Sequence, residues 1–565
     1  MYSTESALRR RGAASKGAAA MAAEETSFAP DMTSAKSTAG PTSMSAATAT
    51  VTPSKLDSFV NSERWVPLVV LLLALFTRFY KLAEPAGVVF DESHFGRFTN
   101  QYTARTYFFD IHPPLGKLVF WLMGRIVGYN HPAGANPALR PYLSRDDDCR
   151  YEHISEQYHP DCKFVWLRAV SAAHSSATIL LVYFIGRRWS GNVWGGVLSA
   201  GLLLFDMLNH IEGRLILMDV QLVFWCTLSL WVSMLWWDRL NEDAEAEECE
   251  RSGKPTTARR MGDSWWKWAV AVGLCCGNAF SVKMTGLATP AIIGLESVLG
   301  IWFLRRPARW LDLFTVLATG FAIYAFYFGI HFHLLTRHGD GDSDFMDETF
   351  QKTIKENKHY DPTAKWDGFW WTFATLNIRM VVHNANILEP HPWQSKWYEW
   401  VFNVRGVSYY GKDLPFTYTS HMYLIGNHAI HWSVVIALPI FCVMCLLYLR
   451  YRRIPGFEAL NACRVTSDFF AQGSFCLAIY FLNLAPYMAV NRSTFIYHYM
   501  PALIYGELIV ARVIEQLVGP KHLATAVKLY LLGIGLVWAY FLPWIYSPAL
   551  TNDGHERRRF INRWN

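Results

Sequence analysis

Apolar runs long enough to cross a bilayer recur along this sequence, and no soluble fold accommodates so many. The first covers residues 65–80. Further runs cover 164–186, 191–208, 215–237, 265–282, 286–304, 311–332, 431–449, 468–489, 495–515 and 525–546, about eleven in all. A spanning helix needs about 20 predominantly apolar residues. A soluble domain carries about 25% charged residues, whereas this chain carries 17%. The chain therefore reads as an all-α polytopic membrane protein, and a soluble multidomain protein is excluded. The net charge of +6 does not point to nucleic acid, because the cations sit in short loops between apolar runs. Arg187–Arg188, Arg259–Arg260, Arg305–Arg306 with Arg309, the cluster from Arg450 to Arg453, and Lys521 fall on one side of the alternation. The positive-inside bias makes that side cytosolic.

This alternation divides the chain. Residues 1–60, rich in Ala, Ser and Thr without apolar periodicity, read as a disordered cytosolic tail. The first run is expected to act as an uncleaved anchor. Residues 61–332 form an N-terminal membrane half that includes a first lumenal loop, 84–163. A lumenal segment, 333–430, precedes a C-terminal membrane half, 431–547, and a lumenal tail, 548–565. Cys149 and Cys162 share the first loop; a disulfide is open to them in an oxidising lumen, and two free thiols are the alternative. Most other cysteines lie in apolar runs and read as packing residues.

The first loop carries the chemistry. From Gly87 to Pro114 it reads GVVFDESHFGRFTNQYTARTYFFDIHPP, with Asp91, Glu92, His94, Asp110 and His112 directly after a membrane run. A carboxylate at membrane depth costs roughly 2.5–3.5 kcal/mol on insertion scales, so this loop is expected to face a polar cavity. The next segment, with Lys117 and Arg125, is expected to lie along the interface. Four cations fall on the side that topology should deplete of them: Arg168, Arg214, Lys283 and Arg492. Level with Asp91, Glu92, Asp110, Glu212 and Asp219, they suggest a polar chamber suited to an anionic group tethered in the bilayer, such as a lipid phosphate. Pairing of Arg214 with Asp219 or Glu212 is the structural alternative. The reaction class implied is group transfer from a lipid phosphate, with a carboxylate as general base and cations stabilising the departing phosphate. The sequence holds no Walker, dinucleotide or zinc motif. Glu92 beside His94 is too small a set for a metal site, and His331 and His333 read as packing residues, so neither metal nor cofactor is expected.

These motifs resemble a known family. FDESHFGRFTNQY followed by DIHPPLGK is similar to the first lumenal loop of the protein O-mannosyltransferases. LRAVSA around Arg168, GRLILMD around Arg214 and Asp219, SVKMTGL around Lys283, HFHLL, GDSDFMDETFQ, HPWQSKWYEW, YLIGN at Asn427 and NRSTFIYHYMPAL follow in the family's order, across about residues 60–546. The resemblance implies a GT-C glycosyltransferase fold in the endoplasmic reticulum membrane, with the N-terminus cytosolic and the C-terminus lumenal. It implies transfer of mannose from dolichyl phosphate mannose to Ser or Thr hydroxyls of an acceptor polypeptide, with inversion in a single displacement. It also implies membrane lipid as surroundings and a homo- or heterodimer with a related subunit. Carried over by position, Asp91 is the base and Glu92 its catalytic neighbour. Arg168, Lys283 and Arg214 go to the donor site, and His94, His112, Arg492 and Tyr499 complete the candidate substrate-binding set.

Two departures stand out. Eukaryotic members of the family insert three MIR repeats between the seventh and eighth spans, and the interval 333–430 is too short for them. The family's Ser-Arg-Pro-Trp-type segment reads Ser395-Lys396-Trp397-Tyr398, without proline, and different local packing is expected there. Three other readings share the features: a GT-C transferase acting on a lipid-linked glycan, a non-catalytic partner subunit, and a transporter. A transporter should show paired halves or broken helices near the midplane, whereas the charges here gather at one face.

Overall fold

The computed structural model describes residues 64–128, 149, 153–258, 260–451 and 465–564; the expected disordered tail lies outside them. Helices used below are α1 (Val66–Phe79), α2 (Glu92–Ala104), α3 (Leu115–Ile126), α4 (Phe164–Ser190), α5 (Val193–Phe205), α6 (Met207–Glu212), α7 (Asp219–Ser252), α8 (Trp265–Val282), α9 (Ala288–Leu299), α10 (Trp310–Leu334), α11 (Phe369–Ala385), α12 (His428–Tyr451), α13 (Ser467–Leu484), α14 (Met500–Val518) and α15 (Leu523–Tyr540). Among the described residues six helices, in α4, α7, α10, α12, α13 and α15, are long and apolar enough to cross a membrane. The other five expected runs are helical too, as α1, α5, α8, α9 and α14, but they are shorter or more polar.

The bundle is built by packed neighbours: α4 lies along α1 and α5, α8 lies between α7 and α10, and α14 packs on α12 and α13. α7, with 34 residues, is about 51 Å long at 1.5 Å per residue, so it outruns a bilayer. Its last turns carry Asp243 and Glu247, which pair with Arg260 and Arg306; Arg188 at the end of α4 pairs with Asp238 of the same helix. The basic loops at Arg188, Arg260 and Arg306 thus meet at one end of the bundle. The acidic loop lies at the other end, called here the loop face.

The loop face also holds β-structure, which an all-α reading did not anticipate. Strand β1 (Thr106–Phe108) pairs in parallel with β2 (Arg337–Asp340). A hairpin of β3 (Val407–Leu414) and β4 (Tyr418–Leu424) takes β5 (Ala549–Thr551) as a third antiparallel strand. β1, β2 and β5 are three or four residues long, and β3 and β4 are longer but do not alternate apolar with polar residues, so none carries a strand signal. The sheet ties residues 549–551 to the 407–424 hairpin, placing the chain's last segment on the loop face. Cys149 and Cys162 are bonded to each other, Sγ–Sγ 2.03 Å, so the alternative of two free thiols is set aside. Trp397 is the first residue of a short helix, Trp397–Val401. Proline is favoured at that helical position.

Candidate active site

Glu92 and Arg168 organise the loop. Glu92 is fully buried. Its carboxylate accepts two bonds from the Arg168 guanidinium at 2.8 Å each, one from Tyr158 Oη at 2.9 Å, and backbone N–H bonds from Val89 at 3.0 Å and Ile216 at 2.9 Å. Arg168 is equally enclosed. Its remaining N–H groups reach the carbonyls of Leu82 (3.2 Å), Pro85 (2.9 Å) and Gly87 (3.0 Å). The guanidinium carbon lies 4.8 Å from the Phe164 ring. A guanidinium has five N–H donors in a fixed fork, and here all five point at the loop. The pair therefore sets the path of residues 82–92.

That path presents Asp91. Asp91 occupies the N-cap position of α2, where an aspartate ordinarily caps the helix, but its side chain makes no capping bond. It is partly exposed, and among the described residues its carboxylate has neither hydrogen bond nor ion pair. The preceding residue, Phe90, has a left-handed backbone (φ +43°). Its ring stacks on Tyr409 at 4.4 Å, and its N–H bonds the Tyr409 carbonyl at 3.1 Å. A non-glycine residue in that region costs of order 1–3 kcal/mol and persists where the surroundings over-determine it. Burial pushes the Asp91 carboxyl up to about 6; nearby His94 and Lys283 oppose the rise, and Asp219 and Asp110 add to it.

The candidate cations separate into three kinds. Arg168 is committed to Glu92 and the loop backbone, which leaves it no N–H for a substrate. Arg214 takes neither role considered for it. It donates to the carbonyls of Arg78 (3.2 Å), Tyr80 (2.5 Å) and Lys81 (2.7 Å) at the end of α1 and lies 4.4 Å from the Tyr546 ring. It thus satisfies carbonyls that a helix terminus leaves open. Lys283 faces the site, gripping both oxygens of Asp219 at 2.8 and 2.9 Å and lying 5.5 Å from the Tyr497 ring. Arg492 bonds the side chain of Asn384 and the carbonyl of Ser493; among the described residues it pairs with no carboxylate.

The other assignments fall out by position. His94 is exposed beside Asp91. Burial pulls His112 down to about 3, so it is neutral at physiological pH. Asp110 is held by Lys117 at 2.5 Å, and Lys117 also donates to the His112 carbonyl at 2.6 Å; Lys117 belongs to the site rather than to the interface alone. Tyr499 does not belong. It is fully buried among helices, with its Oη 2.8 Å from Tyr480 Oη. Tyr497, which sequence reasoning passed over, stands in its place, against Lys283 and with Asp91, Asp219, Arg492 and Glu212 near enough to act on its hydroxyl. Residues 496–499 form a 3-10 turn, and at three residues per turn positions two apart face different ways. Glu212 was also passed over as a partner of the loop: it accepts a 2.5 Å bond from Tyr409 beneath Phe90. Asp91, Asp110, His112, Asp219, Lys283, Arg492 and Tyr497 thus form one group of side chains linked by mutual electrostatic influence. Among the described residues no cluster of three or more His, Cys, Asp or Glu is arranged to hold a metal.

Two family models match the chain. Dolichyl-phosphate-mannose-protein mannosyltransferase covers residues 68–336, and the C-terminal four-span region of protein O-mannosyltransferase covers 369–564. Among curated relatives, dolichyl-phosphate-mannose–protein mannosyltransferase 4 of Candida albicans is 29% identical over 316 residues, 53% of this chain and 37% of that protein. Dolichyl-phosphate-mannose–protein mannosyltransferase 3 of Saccharomyces cerevisiae is 30% identical over 316 residues, 54% and 36%. The chain matches well under half the length of these relatives. In structure it resembles a chain of the S. cerevisiae protein O-mannosyltransferase Pmt1-Pmt2 complex bound to the sugar donor, with a TM-score of 0.73 at 18% identity, over 89% of this chain and 93% of that one. The fold is thus the GT-C type. With both models aligned in order along the membrane domain, this chain belongs to the protein O-mannosyltransferase family.

Proposed function

We propose that this chain transfers mannose from dolichyl phosphate mannose to Ser or Thr hydroxyls of polypeptides entering the endoplasmic reticulum, with its loop face in the lumen. The observation that carries this reading is the Asp91 carboxylate, without hydrogen bond or ion pair among the described residues and close to Lys283, with Arg492 acting on the same Tyr497. As the hydroxyl oxygen attacks C1 of the sugar, Asp91 takes its proton. The bond from C1 to the phosphate oxygen breaks, and dolichyl phosphate departs with the electron pair. Arg492 and Lys283 balance the charge gathering on that phosphate. Lys283 is a shared cation: Asp219 neutralises it until an incoming phosphate competes. Tyr497 adds a hydroxyl directed at the same charges. Attack opposite the leaving phosphate inverts the β-linked donor to an α-linked product.

In this mechanism Glu92 and Arg168 are positioning residues. They hold the loop rather than touch donor or acceptor, because every hydrogen-bonding group between them is already engaged. Arg214 supports the same loop from below. The cytosolic N-terminus and lumenal C-terminus follow from the positive-inside alternation, and the shared sheet is consistent with one compartment for the hairpin and the C-terminal segment. A related subunit completes the working assembly, as in the S. cerevisiae Pmt1-Pmt2 complex. The test is transfer from labelled dolichyl phosphate mannose to a Ser/Thr peptide in microsomes. Asp91→Asn should abolish transfer at unchanged abundance. Transfer at the wild-type rate removes Asp91 as the base.

A further inference from the structure

Helix α11 presents two faces of opposite purpose. Thr372, Leu376 and Met380 recur every four residues and are buried. Leu376 and Met380 line a small cavity with Asp110, His112, Lys117 and His331, so these two residues form part of the wall at the Asp110–His112 end of the acidic loop. The opposite face carries Trp370, Trp371, Ile378, Val381 and Val382, all exposed, Ile378 at 63%. At 3.6 residues per turn these side chains share one outward arc with Ala374 and Ala385, and no charged residue falls within it. An arc that is wholly apolar on a helix outside the expected spans is not built for water.

The neighbours of α11 indicate what covers that arc. Trp370 stacks on Phe321 of α10 at 5.9 Å. Phe373 meets Tyr324 and Phe328 edge-on at 5.8 and 5.1 Å, and the Tyr324 hydroxyl bonds the Asn377 side chain. Tyr324 lies ten residues before Leu334, the last residue of this membrane-crossing helix. Ten residues rise about 15 Å, half the hydrocarbon thickness of about 30 Å. The outward surface of α10 at that level, Phe321 and Phe326, is exposed and apolar, and the α11 arc continues it without a polar break. The last turn of α11 is polar, and its Asn384 holds Arg492.

We propose that α11 is sunk in the bilayer leaflet at the loop face, with its outer arc against lipid acyl chains. Its inner stripe then separates the Asp110–His112 end of the acidic loop from the membrane, and its polar end ties this wall to Arg492. The inference rests on the membrane class of the chain and not on the proposed sugar transfer. It is tested on the full-length wild-type protein in phosphatidylcholine vesicles containing a diazirine-bearing phosphatidylcholine, with hydroxyl-radical footprinting of the same sample. After photolysis, peptides covering 369–385 should carry lipid adducts, and Trp370 and Trp371 should resist oxidation. The hairpin tip Phe416, 90% exposed, should show the reverse. Oxidation of Trp370 and Trp371 as readily as Phe416, without lipid adducts, overturns the proposal. So does protection from both probes, which would mean that a second protein chain covers the arc.

Discussion

Replacing Arg168 by lysine isolates the role of the guanidinium. The charge is kept, but five N–H donors become three. In the structure all five are used: two on Glu92 and three on the carbonyls of Leu82, Pro85 and Gly87. At least two buried acceptors then go unmet, and each such loss costs about 1–3 kcal/mol. Arg168→Lys should therefore destabilise the loop by about 2–6 kcal/mol, the same scale as the roughly 3–5 kcal/mol of breaking a buried pair outright. The loss falls on Asp91, so kcat should drop while the KM for donor stays near wild type. The assays are donor titration in detergent micelles and limited proteolysis across residues 82–92, which should cut faster in the variant. A raised donor KM with unchanged kcat and unchanged proteolysis would refute the argument and make Arg168 a donor contact. The double variant Glu92→Gln, Arg168→Met supplies a cycle: a loss smaller than the two single losses combined is expected for a coupled pair.

Further outcomes follow from the same geometry. With Asp91 raised to about 6 from its ordinary 3.8, the base is lost by protonation as pH falls. The acidic limb of kcat/KM should therefore have its midpoint near 6, and a midpoint near 4 would contradict the placement of Asp91. Arg492→Ala removes a cation that pairs with no carboxylate among the described residues and should raise the donor KM roughly ten- to hundredfold, since a charged hydrogen bond contributes about 1.5–3 kcal/mol. Arg214→Ala should instead lower thermal stability with the donor KM unchanged. Tyr497→Phe keeps the ring beside Lys283 and deletes the hydroxyl, so it should weaken donor binding; Tyr499→Phe should alter stability alone, read by thermal unfolding alongside the donor KM.

The membrane class, the positions of the helices and the gathering of charge at one face were legible in the sequence. Apolar runs of spanning length have no other physical solution than burial in lipid, and charges beside them report which end of each run is wet. The acidic loop was legible too, because a carboxylate pair against a membrane run is costly unless a pocket is built for it. What those carboxylates and cations do to one another was decided only by the tertiary structure. Glu92 meets Arg168 across 76 residues, and Asp219 meets Lys283 across 64. Spacing along a chain orders side chains within one helix but carries no information about which loops a bundle brings together. Hence Arg168 and Arg214, expected near a phosphate, donate to Glu92 and to backbone carbonyls, and Arg492 pairs with no carboxylate among the described residues. Adjacent positions diverge for the same reason: one turn of 3-10 geometry places Tyr497 beside Lys283 and Tyr499 in the helix core, and of the neighbouring carboxylates Glu92 becomes a buried strut while Asp91, among the described residues, has neither hydrogen bond nor ion pair.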